Sequence, residues 1–156
     1  ILLDYYNTWK FKHPNVNDFI RVAEKASDIQ LDWYREYFVN TTKTINYAIE
    51  NPENEGNKTK IKLKRIGYFP MPIDLMVTFK DGSKQLIYIP LDLMFGSKTN
   101  EYPNVTFTKA ESWKWANSTY ELVIDKPLMQ LKSIEIDPSQ RLADINRADN
   151  KMEFNW

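Results

Sequence analysis

One histidine, no cysteine and twenty-one carboxylates set the terms for any chemistry this chain could do. A mononuclear zinc peptidase needs two histidines one helical turn apart, with a glutamate beside them as base. His13 is the single histidine, so these residues cannot supply that set. Serine hydrolysis needs a nucleophile, a histidine and an orienting acid. Only His13 could be the base, and no serine lies in a glycine-flanked elbow. Four glycines in 156 residues leave no phosphate-cradling loop. Without cysteine there is no disulfide, thiolate zinc site, iron–sulfur cluster or thiol nucleophile. His13 precedes Pro14 at the end of a helical stretch, and a structural role is its simpler reading.

Three other groups invite a functional reading. Lys58, Lys60, Lys62, Lys64 and Arg65 place five cations in eight residues. A nucleic-acid stripe is conceivable, but the lysines alternate, which reads as a solvated, edge-protecting strand face. Trp113 and Trp115 flank Lys114 and would point the same way on a strand, where Tyr102 and Tyr120 could join them in a sugar-stacking platform. Large rings more often bury their area. Asp144, Asn146, Asp149 and Asn150 offer oxygen ligands, yet Ala148 and Asp149 break the calcium-loop template. No spacing among the acids singles out a glycosidase pair. The balance of 21 basic against 21 acidic residues gives no whole-chain field directed at nucleic acid or an anionic membrane.

The elements that would position these residues follow from periodicity. Leu2, Tyr5, Tyr6 and Trp9 fall near a 3.6-residue period, which predicts a short amphipathic helix that His13-Pro14 ends. A second helix is expected from an N-cap at Asn17, with Asp18 in its first turn, Phe19, Val22 and Ala23 on its buried stripe, and an end near Ser27-Asp28. Leu31 to Phe38 restarts the period, and Ile45, Tyr47 and Ile49 then alternate like a strand. The stretch NPENEGNK, ending at Lys58, reads as a boundary. Beyond it the period is two. Ile73–Phe79 is the clearest buried strand, Asp81-Gly82 a hairpin signal, and Leu86–Ile89 the return strand. Val105–Thr108, Tyr120–Ile124 and Leu131–Ile136 complete the strand candidates. Short strands with turn signals between them predict an antiparallel β-sandwich. No apolar run approaches the roughly 20 residues of a membrane span.

Taken in order, several stretches resemble a known family. WKFKHPNVNDFIRVAEKASDIQLDWYREYFVNTTKTINYAI contains Asp18-Phe19, Ser27, Leu31-Asp32-Trp33 and Phe38; IKLKRIGYFPMPIDLMVTFKDGSKQLIYIPL contains Arg65, Pro70 and Pro72; IEIDPSQRLADINRADN contains Asp137-Pro138, Leu142 and Asp144. These resemble the C-terminal part of aminopeptidase-N-like zinc metallopeptidases, the gluzincin group. The sequence departs from that pattern at Lys43-Thr44-Ile45, where many relatives have Gly-Thr-Pro.

The resemblance implies an α+β chain in four parts: a helical segment (1–50) like the end of a peptidase catalytic domain, a linker (51–57), a β-sandwich of roughly seven strands (58–137) and a polar tail (138–156). It implies a non-catalytic fragment that braces an upstream zinc domain of the same polypeptide, whose activity would be removal of N-terminal amino acids from peptides. Zinc would be bound upstream, so no catalytic, cofactor-binding or metal residue is expected in this chain. No nucleic-acid partner and no membrane span are expected. The rings at Tyr5, Trp9, Trp33, Tyr34 and Phe38 suggest partner surface or self-association of the isolated fragment. The compartment is left open, with an extracytoplasmic parent favoured. The alternative is a free-standing sandwich binding carbohydrate or protein through Trp113 and Trp115.

Overall fold

In the computed structural model, which describes residues 1–155, three short helices precede two β-sheets, an α+β fold. Trp156, the last residue of the predicted tail, lies outside the described residues. The helices are α1 (Leu2–Trp9), α2 (Val16–Ser27) and α3 (Asp32–Asn40). The cap of α2 is Asn15 and not the expected Asn17. The Asn15 side chain accepts from the amides of Asn17 and Asp18, and the Asp18 carboxylate accepts from the Asn15 amide. This reciprocal box satisfies helix-end donors that one cap residue would leave open. Asp28 closes α2 in the left-handed region at φ 55°, and the Glu24 carboxylate accepts from the Leu31 amide at 2.8 Å to set the turn into α3.

The first sheet is built on β3 (Lys58–Arg65). One of its edges pairs with β1 (Tyr47–Ile49) and β2 (Glu53–Glu55), and the other with β7 (Thr119–Ile124), all antiparallel. The predicted linker 51–57 is thus largely a hairpin arm, turned through Gly56 at φ +62°. The second sheet has the order β6 (Thr106–Lys109), β5 (Lys84–Ile89), β4 (Ile73–Phe79), β8 (Leu131–Ile136), β9 (Lys151–Glu153). Its pairs are antiparallel except β5 with β6, which run parallel. The predicted hairpin at Asp81-Gly82 is present, with Gly82 at φ +82°. Six named strands, β3 to β8, lie within 58–137, where roughly seven were expected; β1, foreshadowed by Ile45, Tyr47 and Ile49, and the short strands β2 and β9 lie outside those bounds.

The two sheets share one core. Ile61, Leu63 and Ile124 from the first meet Leu75, Val77, Ile87, Ile89, Leu131, Ile134 and Ile136 from the second. Burying each such aliphatic side chain stabilises by about 1.5–3 kcal/mol relative to leaving it in water. Tyr47 is 1% exposed and closes the end of this core. Its hydroxyl accepts from the Met71 amide at 2.9 Å, and burial pushes its pKa up to about 12. The stretch expected to be a polar tail is part of this structure. Asp144 accepts from the Tyr47 amide at 2.9 Å, Leu142 and Asn150 are buried, and β9 extends the second sheet. Alternation failed to reveal it because Asp137 and Asp144 organise it through backbone amides and not through an apolar stripe. Asp137 accepts from the amides of Arg141 and Leu142 and from the Ser139 hydroxyl.

Candidate functional site

The residues singled out in the sequence do not converge on one site. His13 is exposed in the turn between α1 and α2. The lysines of β3 do line one solvated face, and three of them are neutralised there: Lys58 by Asp125 at 2.6 Å, Lys60 by Glu121 at 2.7 Å and Lys62 by Glu50 at 3.1 Å. Their role is not edge protection, since β3 is paired along both sides. Paired lysines also leave little free charge for a phosphate backbone.

The proposed ring platform is not formed. Trp113 is 2% exposed, packs edge-on to Tyr47 and donates its indole N–H to the Asn117 carbonyl at 2.9 Å. Trp115 is covered by the Arg65 guanidinium, centred 3.8 Å from the ring, and meets the Tyr37 ring at 5.7 Å. The two indoles diverge because residues 114–117 turn instead of continuing as a strand. Among the acid and amide residues of the tail, Asp144 accepts backbone amides and Asp149 accepts from the Asn146 side chain at 2.7 Å. Among the described residues, no three of His, Asp and Glu come together as a metal-ligand group.

Two features gain prominence instead. The first is the junction between helices and sandwich. The segment 91–105 runs from β5 to β6 across the outer face of the second sheet. Met94 reaches the Tyr88 hydroxyl at 3.7 Å, and Lys98 binds Asp74 and, at 3.4 Å, Glu101. Arg141 from the tail closes the group on Glu101. Burial pushes the Asp74 carboxyl above its usual range against the pull of Lys98, while Arg141 holds Glu101 below its own. The same segment meets the helices: the Gln30 amide donates to the Phe95 carbonyl at 3.0 Å. Gly96, at φ +90°, lies so close to the Asp28 carbonyl that no Cβ fits. An apolar groove of about 380 Å³ lies at this junction, between Phe19, Ala23 and Trp33 on the helices and Met71, Tyr88 and Met94 on the sandwich. Sequence reasoning passed over this group, although Asp74 is an acid set inside the most apolar strand.

The second feature is the outer face of α1. No residue of this helix is buried. Leu2 and Leu3 are 73% and 76% exposed, Tyr6 is exposed, and Phe11 just beyond is 98% exposed with φ at 63°. Tyr5 meets Phe19 edge-on at 5.1 Å, so α1 rests on α2 there while Leu2, Leu3 and Tyr6 stay in the solvent. Phe38 and Val39 at the end of α3 are exposed as well.

No family model, curated protein or solved structure matches the chain.

Proposed function

We propose that this chain is a non-catalytic C-terminal part of an aminopeptidase-N-like zinc metallopeptidase, in which the helices dock against a zinc domain and the sandwich braces them. The observation that carries the reading is the bare apolar face of α1, where Leu2, Leu3 and Tyr6 lie in water, with Phe11 exposed just beyond the helix. Large apolar side chains left in water together on one short element suit a surface that is covered by a partner. Behind it, the hydrogen bond from Gln30 to Phe95 and the close approach of Gly96 to Asp28 tie the helices to the sandwich, which suits a brace. The resemblance in the ordered motifs supplies the identity of the covering domain, and with it zinc and the removal of N-terminal residues from peptides as properties of the parent.

Sedimentation and dye binding test the surface. The purified chain is expected to self-associate or to bind an apolar-surface dye, and a Leu2→Glu, Leu3→Glu double variant to abolish both. A strictly monomeric chain that binds no dye would refute the docking face. A peptidase assay tests the division of labour. Amino-acid p-nitroanilides with added zinc should show no turnover, and activity above a boiled control would overturn the reading. The platform of Trp113 and Trp115 has no comparable support, since one ring is buried and the other is covered by Arg65 and Tyr37.

A further inference from the structure

A separate cleft of about 370 Å³ opens where the end of α3 meets the sandwich and the tail. Its volume lies within the roughly 300–1,000 Å³ of small-molecule sites. Tyr34, Tyr37, Phe38 and Phe69 form its aromatic wall. Tyr34 stacks on Phe38 at 5.2 Å and 13°, and Tyr37 on Phe69 at 5.8 Å and 26°, so the rings hold one another in place. The opposite wall comes from Ala143 and Ile145, held by the pairing of Ile45 with Asp144.

The charge of this cleft is one-sided. Its lining contains two cations, Lys43 and Arg141; Arg141 is balanced by the Glu101 carboxylate, so Lys43 carries the unpaired charge. Lys43 is exposed, has no ion-pair partner among the described residues, and stands over the Tyr37 ring at 4.9 Å. Arg141 uses three donors, two on Glu101 and one on Ser139, and a guanidinium has five. Two N–H groups are therefore left. The Thr41 hydroxyl donates to the Tyr37 carbonyl at 2.6 Å and so satisfies one of the terminal carbonyls of α3. Thr42 and Thr44 add hydroxyl donors to the rim.

We propose that this cleft binds a small aromatic oxyanion, with the ring against Tyr34 and Phe38 and the oxyanion between Lys43 and Arg141. Aromatic walls favour a planar body by offset stacking, and the unpaired Lys43 ammonium selects the sign of its charge, with the two remaining Arg141 N–H groups as further donors. This reading is independent of the docking face on α1, because the cleft is built from α3, residues 41–45 and the tail.

The test uses the full chain and three probes of one shape: 2-naphthoate, 2-naphthalenemethanol and 2-naphthalenemethylamine, titrated by amide-resolved NMR. Naphthoate should bind about tenfold more tightly than the alcohol, as one charge-assisted contact predicts, and the amine more weakly than either. Shifts should map to Lys43, Thr44, Phe69 and Arg141. Lys43→Met should remove about that tenfold advantage while leaving alcohol binding unchanged, and Lys43→Glu should reverse the order of the acid and the amine. Lys43 is exposed, so both variants should fold, and the unchanged alcohol affinity verifies it. Equal binding of the three probes, shifts confined elsewhere, or no saturation by naphthoate would each overturn the proposal.

Discussion

Strand β4 and helix α1 are both rich in apolar residues, and the fold treats them in opposite ways. Ile73, Leu75, Val77 and Phe79 are nearly or fully inaccessible, whereas Leu2, Leu3 and Tyr6 are mostly in water. The difference is one of supply. Strand β4 lies between β5 and β8 and faces a second sheet, so every apolar side chain meets a partner from the same chain. Helix α1 packs chiefly on α2, through rings such as Tyr5 against Phe19. An apolar period thus records which face needs cover, and whether the cover comes from the same chain is a separate matter.

Substitutions can break that contrast, starting with the core. Trp113→Ala should cost about 3–5 kcal/mol, measured as a fall in the urea midpoint, because it removes a buried ring and its indole hydrogen bond together. A loss under about 1 kcal/mol would mean that the sandwich is no better packed than the helices. Next comes the tail. Asp137→Ala should cost about 3 kcal/mol, since the amides of Arg141 and Leu142 and the Arg147 guanidinium lose a buried acceptor. If hydrogen exchange in β9 were unchanged by it, the tail would have to be stable without its carboxylate.

Smaller effects belong to the helices and the surface. Asn15→Ala should cost about 1 kcal/mol, read from amide exchange in α2, and sharpen the contrast by loosening α2 while the sheets stay protected. The ion pair of Glu101 with Arg141 gives a pH signature. The folded pKa of Glu101 is depressed, so its stabilising contribution is full above the unfolded value of about 4.3. It is lost as pH falls through the lower folded value. The gap in urea midpoint between the chain and a Glu101→Gln variant should therefore be constant at neutral pH and close in acid; a gap that widens in acid would reverse the assignment. Leu3→Ala should change stability by less than about 0.5 kcal/mol, and a cost like that of a core residue would show α1 to be covered in solution.

Much of the fold was legible in particular residues. Ile73–Phe79 and Leu131–Ile136 match β4 and β8 residue for residue, because a buried strand needs unbroken apolar alternation and few other patterns imitate it. The end of α2 at Ser27-Asp28 was visible in the fading of its stripe. Its start was misplaced by two residues, since Asn15 and Asn17 are equally good caps and only the reciprocal bond with Asp18 distinguishes them. Strands β2 and β9 were hidden because their residues are almost wholly exposed and carry no apolar alternation. The parallel seating of β6 on β5 was hidden because a parallel partner needs a long crossover that local patterns do not signal.

Residue types alone excluded thiol chemistry and any set of several histidines in this chain, and alternation alone fixed the main strands. These follow from composition and from the two-residue repeat of an extended backbone, both of which are local. The fate of Trp113 and Trp115, the meeting of Asp74 with Lys98, and the cleft between Phe38, Lys43 and Arg141 were decided by the tertiary structure. Lys43 and Arg141 are far apart in the chain, and they line one space only because Asp144 joins the tail to β1. Long-range juxtaposition depends on how sheets and loops close around one another, and no window of neighbouring residues contains that information.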